Sequence, residues 1–246
     1  PRRSIRFVGQ SSIALGCALV VVLGCSVGFA GPIADVLVLH MDENGGNTAY
    51  DANHRNDGTL SPPANPPVWT AGKFGSALDF DGSNDYVDVG NDSILNLTNA
   101  FTVEAWVKHQ GTQTYDYGPI VGKRNRNTGY MFGSRNQRDM RLILNGFANY
   151  SRISTQTVKA NDWSFVAAVF DGSANQVGIY VDGVWQTWGG APSSLFPTSS
   201  GLAVGAERAG GTFYDFNGVI DEVAIYSYPL TQAQLDARFA GGPPEA

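Results

Sequence analysis

The stretch that decides the fold lies near the end of the chain and reads GVIDEVAIY, residues 218–226. An earlier stretch, residues 77–87, reads ALDFDGSNDYV. Between them lie FTVEAWVK at residues 101–108 and YVDGV at residues 180–184. In each stretch, β-branched and aromatic residues stand beside Gly, Asn or acidic residues, which is the composition of strands bounded by turns. The pattern therefore predicts antiparallel strands joined by tight turns.

The rest of the chain follows the same pattern. In residues 101–108 the side chains alternate between two sets, so that one set faces a core and the other faces outward. Residues 163–170 are nearly all apolar, as expected for a central strand. Asp182-Gly183 predicts a type I′ hairpin turn, because both central residues of that turn need positive φ. A helical pattern appears at residues 230–235, with Thr231 as the candidate N-cap.

In their order and separation, the four stretches resemble the laminin-G-like branch of the concanavalin A-like jelly rolls, a fold that pentraxins share. The resemblance runs from about Val36 to Phe239. It implies an all-β fold, a two-sheet antiparallel jelly-roll sandwich. It leaves the function open, because lectins, adhesion modules, hydrolases and lyases share that fold.

The first thirty residues have the pattern of a secretory signal peptide. A basic start is followed by an apolar run at residues 13–23 and by Gly28-Phe29-Ala30, which predicts cleavage after Ala30. Lipid anchoring through Cys25 is an alternative. The predicted organisation is a signal peptide at 1–30, one domain at 31–240 and the start of a linker or tail at 241–246. The mature chain is then secreted or held at the cell surface, without a membrane span, and further domains of a longer protein are an open alternative.

Charge and cysteine content narrow the class of protein. After residue 30 the sequence has 13 basic residues against 22 acidic ones, a net charge of −9. This balance argues against general nucleic-acid binding. The two cysteines, Cys17 and Cys25, both lie in the predicted signal peptide. The mature domain is therefore expected to fold without a disulfide.

Two oxygen-rich loops, at residues 42–46 and 51–58, suggest a calcium site, because calcium prefers carboxylate, amide and carbonyl oxygens. Many sandwiches of the resembled superfamily carry one structural calcium that ties an N-terminal loop to an Asp on the last strand. The resemblance therefore implies calcium held by Asp221 together with Asp42 or Asp51. The alternative is that Asp51 caps a turn and Asp221 accepts backbone hydrogen bonds.

The chain lacks the acid pair expected of a glycan hydrolase with this fold. Such enzymes place two carboxylates two residues apart on one strand, so that both face the cleft. Glu104 has no such partner, and Asp79 and Asp81 run into a turn. Asp221 and Glu222 are adjacent and would point in opposite directions on a regular strand. The sequence therefore predicts no catalytic residues and no enzymatic activity.

A basic segment, residues 123–152, has seven basic residues and one acidic residue. Arginine binds carboxylates and sulfates bidentately, and aromatic rings interleave with the arginines. The predicted ligand contacts are Arg124, Arg126, Tyr130, Arg135, Arg138 and Arg141. The alternative is a solvated hairpin whose arginines pair with acids elsewhere. Aromatic residues near predicted loops, namely Tyr115, Tyr117, Trp185, Trp188 and Tyr214, are either a sugar platform or covers for the ends of the sandwich.

Together these features favour a secreted, non-catalytic, lectin-like module that binds an extracellular or cell-surface glycan, with acidic polysaccharide as the preferred class. One alternative is a structural or adhesive domain of a larger surface protein. A second is a glycan hydrolase or lyase with an unrecognised site.

Overall fold

The computed structural model describes residues 32–113, 116–146, 148–208 and 214–246. The predicted signal peptide, the cleavage after Ala30, the alternative lipid anchor at Cys25 and Tyr115 lie outside the described residues. Within them the chain forms eighteen strands, one 3-10 turn at Ser93–Leu95 and one α-helix. The strands are β1 (Leu37–Leu39), β2 (Thr48–Ala49), β3 (Gly58–Ser61), β4 (Val68–Ala71), β5 (Ser76–Asp81), β6 (Tyr86–Gly90), β7 (Ala100–His109), β8 (Gly118–Asn125), β9 (Thr128–Ser134), β10 (Asp139–Leu144), β11 (Tyr150–Thr157), β12 (Trp163–Asp171), β13 (Gln176–Val181), β14 (Val184–Gly189), β15 (Leu202–Val204), β16 (Ala206–Glu207), β17 (Tyr214–Asp215) and β18 (Asn217–Tyr226); the helix is α1 (Gln232–Ala240).

Two antiparallel eight-stranded sheets form the sandwich. The first sheet has the order β14-β13-β12-β7-β18-β5-β4, with β1 also paired to β18. The second sheet has the order β11-β10-β9-β8-β15-β6-β3-β2. The short strands β16 and β17 pair with each other. The all-β, two-sheet antiparallel jelly-roll prediction is confirmed.

The core lies between the sheets and follows the predicted alternation. In β7, Phe101, Val103 and Ala105 belong to the main core cluster, whereas Trp106 belongs to a second cluster on the opposite face. The Phe101 ring lies 4.4 Å from that of Tyr130 on β9, so aromatic contacts join the two sheets. Burying one such large apolar side chain stabilises the fold by about 1.5–3 kcal/mol.

The predicted hairpin turn is present between β13 and β14. Asp182 and Gly183 have φ values of 45° and 90°, as a type I′ turn requires. The Asp182 carboxylate also accepts the backbone N–H of Phe165 at 2.8 Å, which ties the turn to β12.

Helix α1 covers part of the outer face of the first sheet. It is longer than the short helical turn predicted at residues 230–235, and Thr231 caps it in a capping box with Gln234. Near the end of the helix, Phe239 stacks on Trp106 at 5.9 Å, and Arg238 donates to Glu104 at 2.9 Å. The helix is therefore joined to the sheet by both an aromatic contact and a buried ion pair.

The last six residues, predicted as the start of a linker or tail, lie against the domain. Ile33 pairs with Glu245 in an isolated parallel bridge, and Ala34 N–H donates to the Glu245 carbonyl at 3.0 Å. Across the described ranges, no helix is long and apolar enough to cross a membrane.

Candidate functional site

The candidate site is the outward face of the second sheet, meaning the face turned away from the core. On β10 the side chains of Met140, Leu142 and Leu144 enter the core. Because strand residues alternate between faces, Arg141 and Ile143 lie on the outward face.

Arg141 and two tyrosines form one wall of this face. The Arg141 guanidinium lies 4.7 Å from the centre of the Tyr117 ring, and the Tyr117 ring meets Tyr214 edge-on at 5.6 Å. The Arg141 Nε donates to the Ser151 hydroxyl at 2.6 Å. Burial lowers the pKa of Arg141 and the charge of Asp116 raises it, but an arginine stays charged at neutral pH. The wall therefore combines a positive charge with aromatic rings, an attraction of about 0.5–2 kcal/mol.

The hairpin of β16 and β17 lies across the same face. A Cβ atom at Gly122 on β8 would sit 2.7 Å from the Ala206 carbonyl oxygen, so only glycine allows this approach. Arg124 and Glu207 form a bidentate ion pair beneath the hairpin, with both Glu207 oxygens 2.7 Å from Arg124 Nη2. The strands β16 and β17 therefore lie close against the outward face of β8.

A groove lies on the β6 side of β16 and β17. Its Arg208 guanidinium stacks over Tyr86 at 4.2 Å and pairs with Asp215 at 2.9 Å. The cavity beside this stack has a volume of about 180 Å³. Sequence reasoning missed Tyr86, Arg208 and Glu207, because their partners lie far along the chain and no local pattern marks them.

The arginines predicted to contact a ligand do not form one continuous basic surface. Arg135 and Arg138 lie at the turn between β9 and β10, whereas Arg124 and Arg126 lie at or near the turn between β8 and β9. These turns are at opposite ends of β9, which has seven residues and is roughly 20 Å long. The five arginines therefore do not share one continuous surface.

Most of the predicted contacts in this segment also have partners within the protein. Arg135 pairs with Asp116 at 3.1 Å and with Asp139 at 3.3 Å, as the solvated-hairpin alternative expected. Tyr130 is 1% exposed and lies in the core, so it presents no ring to solvent. Of the six predicted contacts, Arg141 belongs to an aromatic wall on the outward face, on β10, the strand next to the edge strand β11.

The three predicted calcium ligands do not share one site. The Asp51 carboxylate accepts four backbone N–H groups, from Val38, Asn53, Arg55 and Asn56, at 3.0–3.2 Å. These bonds occupy its oxygens, which is the turn-capping role of the alternative interpretation.

Asp42 and Asp221 do approach a common element, the loop between β4 and β5. Asp42 accepts Ser76 N–H at 2.8 Å, and Asp221 Oδ2 accepts Lys73 N–H at 2.7 Å. Asp221 Oδ1 is buried without a hydrogen-bond partner. Burial, assisted by the charge of Glu222, raises the pKa of Asp221 to about 7. Among the described residues, no group of three or more His, Cys, Asp and Glu side chains is arranged to hold a metal ion.

The strand that carries Asp221 is not regular. A register shift between Asp221 and Ala224, with Glu222 at φ 52°, forms a bulge in β18. Glu222 lies 2.7 Å from His40. The bulge breaks the alternation on which the opposite orientation of Asp221 and Glu222 was predicted. Glu104 is fully buried between Arg238 and Tyr226.

A family model of the concanavalin A-like lectin/glucanases superfamily matches residues 81–236. A search of curated proteins finds no match to the chain. Among solved structures, domain 4 of AbnA, a GH43 extracellular arabinanase from Geobacillus stearothermophilus, in complex with arabinotriose, is similar with a TM-score of 0.65 and 19% identity. The match covers 84% of this chain and 98% of that domain.

Two further structures have the same fold. The binding domain of Paraclostridial Mosquitocidal Protein 1 has a TM-score of 0.62 and 12% identity, with 83% of this chain and 51% of that one covered. Trypanosoma rangeli sialidase in complex with sialic acid has a TM-score of 0.59 and 17% identity, with 82% of this chain covered. This chain spans only 32% of that sialidase. At these identities the likeness shows the fold alone.

Proposed function

Since the chain belongs to the concanavalin A-like lectin/glucanases superfamily, we propose that it is a secreted, non-catalytic carbohydrate-binding module. Its ligand lies along the outward face of the second sheet. The arabinanase domain in complex with arabinotriose supports a sugar-binding use of this sandwich. The burial of Glu104 in an ion pair supports the non-catalytic part of the proposal.

The observation that carries the proposal is the wall of Arg141, Tyr117 and Tyr214. Aromatic rings offer an apolar face to the C–H face of a sugar, and a guanidinium donates to hydroxyl and carboxylate oxygens. The three side chains come from β10, from the residue before β8 and from β17. The contacts among them hold the rings in place, which limits the conformational entropy lost when a sugar binds.

We retain acidic polysaccharide as the preferred ligand, although fewer arginines support this choice than the sequence predicted. The outward face carries two arginines stacked on tyrosine rings, Arg141 over Tyr117 and Arg208 over Tyr86. Arg208 is paired with Asp215, and Arg124 with Glu207. Arg141 also lies within the field of Asp116, so a polymer carboxylate would compete with the protein's own acids for the arginines of this face.

We expect Arg141→Ser to weaken retention on an immobilised uronate polymer about tenfold, which corresponds to ~1.4 kcal/mol. The substitution removes the cation from the wall and leaves the core side of β10 intact. Retention is measured by affinity electrophoresis at low salt and again at high salt, where screening reduces it. Arg55→Ser is the matched control, because Arg55 is an exposed arginine whose guanidinium donates to the carbonyl of Asp35, away from this wall.

Equal retention of the wild type and Arg141→Ser would place the polymer elsewhere. Equal losses of retention in the Arg141 and Arg55 variants would show that only the net charge of the protein matters. Release of new reducing ends from the polymer would contradict the non-catalytic part of the proposal.

We also propose a structural calcium held by Asp42 and Asp221, with Asp51 no longer among the ligands. The unpartnered oxygen of Asp221 supports this choice, because a buried carboxylate oxygen without a donor is costly. Backbone carbonyls are ordinary calcium ligands and would complete the coordination. The ion would tie the loop between β4 and β5 to the last strand.

We expect a chelator to lower the melting temperature of the wild type but not that of Asp221→Asn. A bound ion stabilises the fold by about 2.7 kcal/mol at a hundredfold excess over its Kd, and the variant lacks that contribution. Differential scanning fluorimetry with and without the chelator measures both. Asp51→Asn serves as the comparison, since it disturbs a turn and should keep the chelator response. If the chelator leaves the melting temperature of the wild type unchanged, the calcium proposal is wrong.

A further inference from the structure

A second groove with the chemistry of a sugar site lies on the opposite side of the sandwich, on the outer face of the first sheet. Helix α1 covers only part of that face. Beyond the start of the helix, a cavity of about 180 Å³ opens between Trp185 on β14 and the segment Pro229–Thr231. None of the residues of the outward face of the second sheet contributes to it.

The indole of Trp185 forms one wall of this groove. Its six-membered ring lies directly over Gly178, where an added Cβ would come within 1.9 Å of the ring. A side chain at position 178 would therefore displace the indole. Trp185 is half-buried, so the ring is fixed on one side and open toward the groove. A ring held in this way loses little freedom when a ligand stacks on it.

Polar groups surround the apolar wall. Gln176, the first residue of β13, and Thr187, within β14, are exposed and line the same cavity. Asp171 joins them from the end of β12. Its Oδ1 accepts from the backbone and hydroxyl of Ser173 and from Ala174 N–H, and the hydrogen bond from the Ser173 hydroxyl holds the pKa of Asp171 below its usual value. The groove therefore carries one negative charge, which disfavours anionic ligands.

The groove continues past Asp171 and Pro229, which also line a second and larger cavity of about 500 Å³. That cavity adds two amide side chains, Asn99 and Asn175, and the hydroxyls of Ser173 and Ser193. A continuous cleft thus begins at an aromatic ring and runs along amides, hydroxyls and one carboxylate. Hydroxyl-rich ligands with an apolar face match this order of groups.

We propose that this cleft, the Trp185 cleft, binds a neutral oligosaccharide of a few sugar units. One unit stacks on the indole of Trp185, and the next units donate and accept hydrogen bonds along Asp171, Asn99 and Asn175. The site is independent of the outward face of the second sheet, where the preferred ligand is acidic.

The test is isothermal titration calorimetry of the purified protein with four neutral trisaccharides: maltotriose, cellotriose, xylotriose and arabinotriose. The wild type is expected to bind at least one with a Kd on the order of 1 mM. Trp185→Ala is expected to raise that Kd about tenfold, as loss of one stacking ring implies. Arg55→Ser is the matched control, because Arg55 lies outside both proposed sites, and it should bind the same trisaccharide as the wild type does. Arg141→Ser tests whether the sugar binds on the second sheet instead.

Trp185 also packs against the second core cluster, so its alanine variant needs a check of folding by circular dichroism. If the alanine variant does not fold, binding is measured in Trp185→Phe and Gln176→Ala instead. The first variant keeps a smaller ring, and the second changes only an exposed side chain. Weaker binding in these variants, with Arg141→Ser unaffected, supports the cleft.

The proposal is overturned if the wild type binds none of the four sugars, if the cleft variants bind as tightly as the wild type, or if Arg141→Ser loses the sugar as well. The last outcome would assign neutral sugars to the second sheet and leave the proposed function standing.

Discussion

Replacing Glu104 by alanine is expected to lower the free energy of unfolding by about 3–5 kcal/mol. Glu104 is fully buried on β7, where it accepts Arg238 Nε at 2.9 Å and the Tyr226 hydroxyl at 3.0 Å. Burial raises the pKa of Glu104, and the nearby charge of Arg238 opposes that rise. Removing the carboxylate leaves the Arg238 guanidinium, which is 8% exposed, without its counter-charge. The loss should detach the end of helix α1 from the first sheet.

Chemical denaturation monitored by circular dichroism measures the change. The control is the double variant Glu104→Leu with Arg238→Met, which removes both charges. Such replacements of buried pairs by apolar residues are often close to neutral, so the double variant should be more stable than Glu104→Ala. A single variant as stable as the wild type would show that the helix does not depend on this pair.

Much of the fold was predictable from local pattern. The alternation in β7, the Asp182-Gly183 turn and the apolar run of β12 each depend on neighbours in sequence, and the structure contains all three. Strand period and turn chemistry are properties of a few consecutive residues. They reveal which residues form strands, and the family resemblance supplied how those strands are arranged.

The candidate site was less predictable, because partners far apart in the chain decide it. Arg124 looked like a ligand contact, yet Glu207 lies 83 residues further along and neutralises it. Tyr130 alternates into the core rather than outward, and no residue pattern in β9 indicates which of its faces is the inner one. The bulge at Glu222 changes the direction of two acidic side chains without a glycine to mark it.

The second large effect is expected at Arg124, where structure and sequence lead to different expectations. Arg124 and Glu207 have side chains that are 5% and 2% exposed and joined by bidentate hydrogen bonds. Arg124→Ala leaves the Glu207 carboxylate buried without its cation, at a cost of about 3–5 kcal/mol. At roughly 2–4 °C per kcal/mol for a chain of this size, the melting temperature should fall by several degrees or more.

The double variant Arg124→Leu with Glu207→Leu separates a structural role from a ligand contact. If the pair only fixes the β16–β17 hairpin across the second sheet, the double variant recovers most of the lost stability and retains the uronate polymer as the wild type does. If Arg124 binds the polymer, as the sequence predicted, retention is lost in both variants whatever their stability. Because the bidentate pair occupies the same donors that a polymer carboxylate would need, we expect the first result.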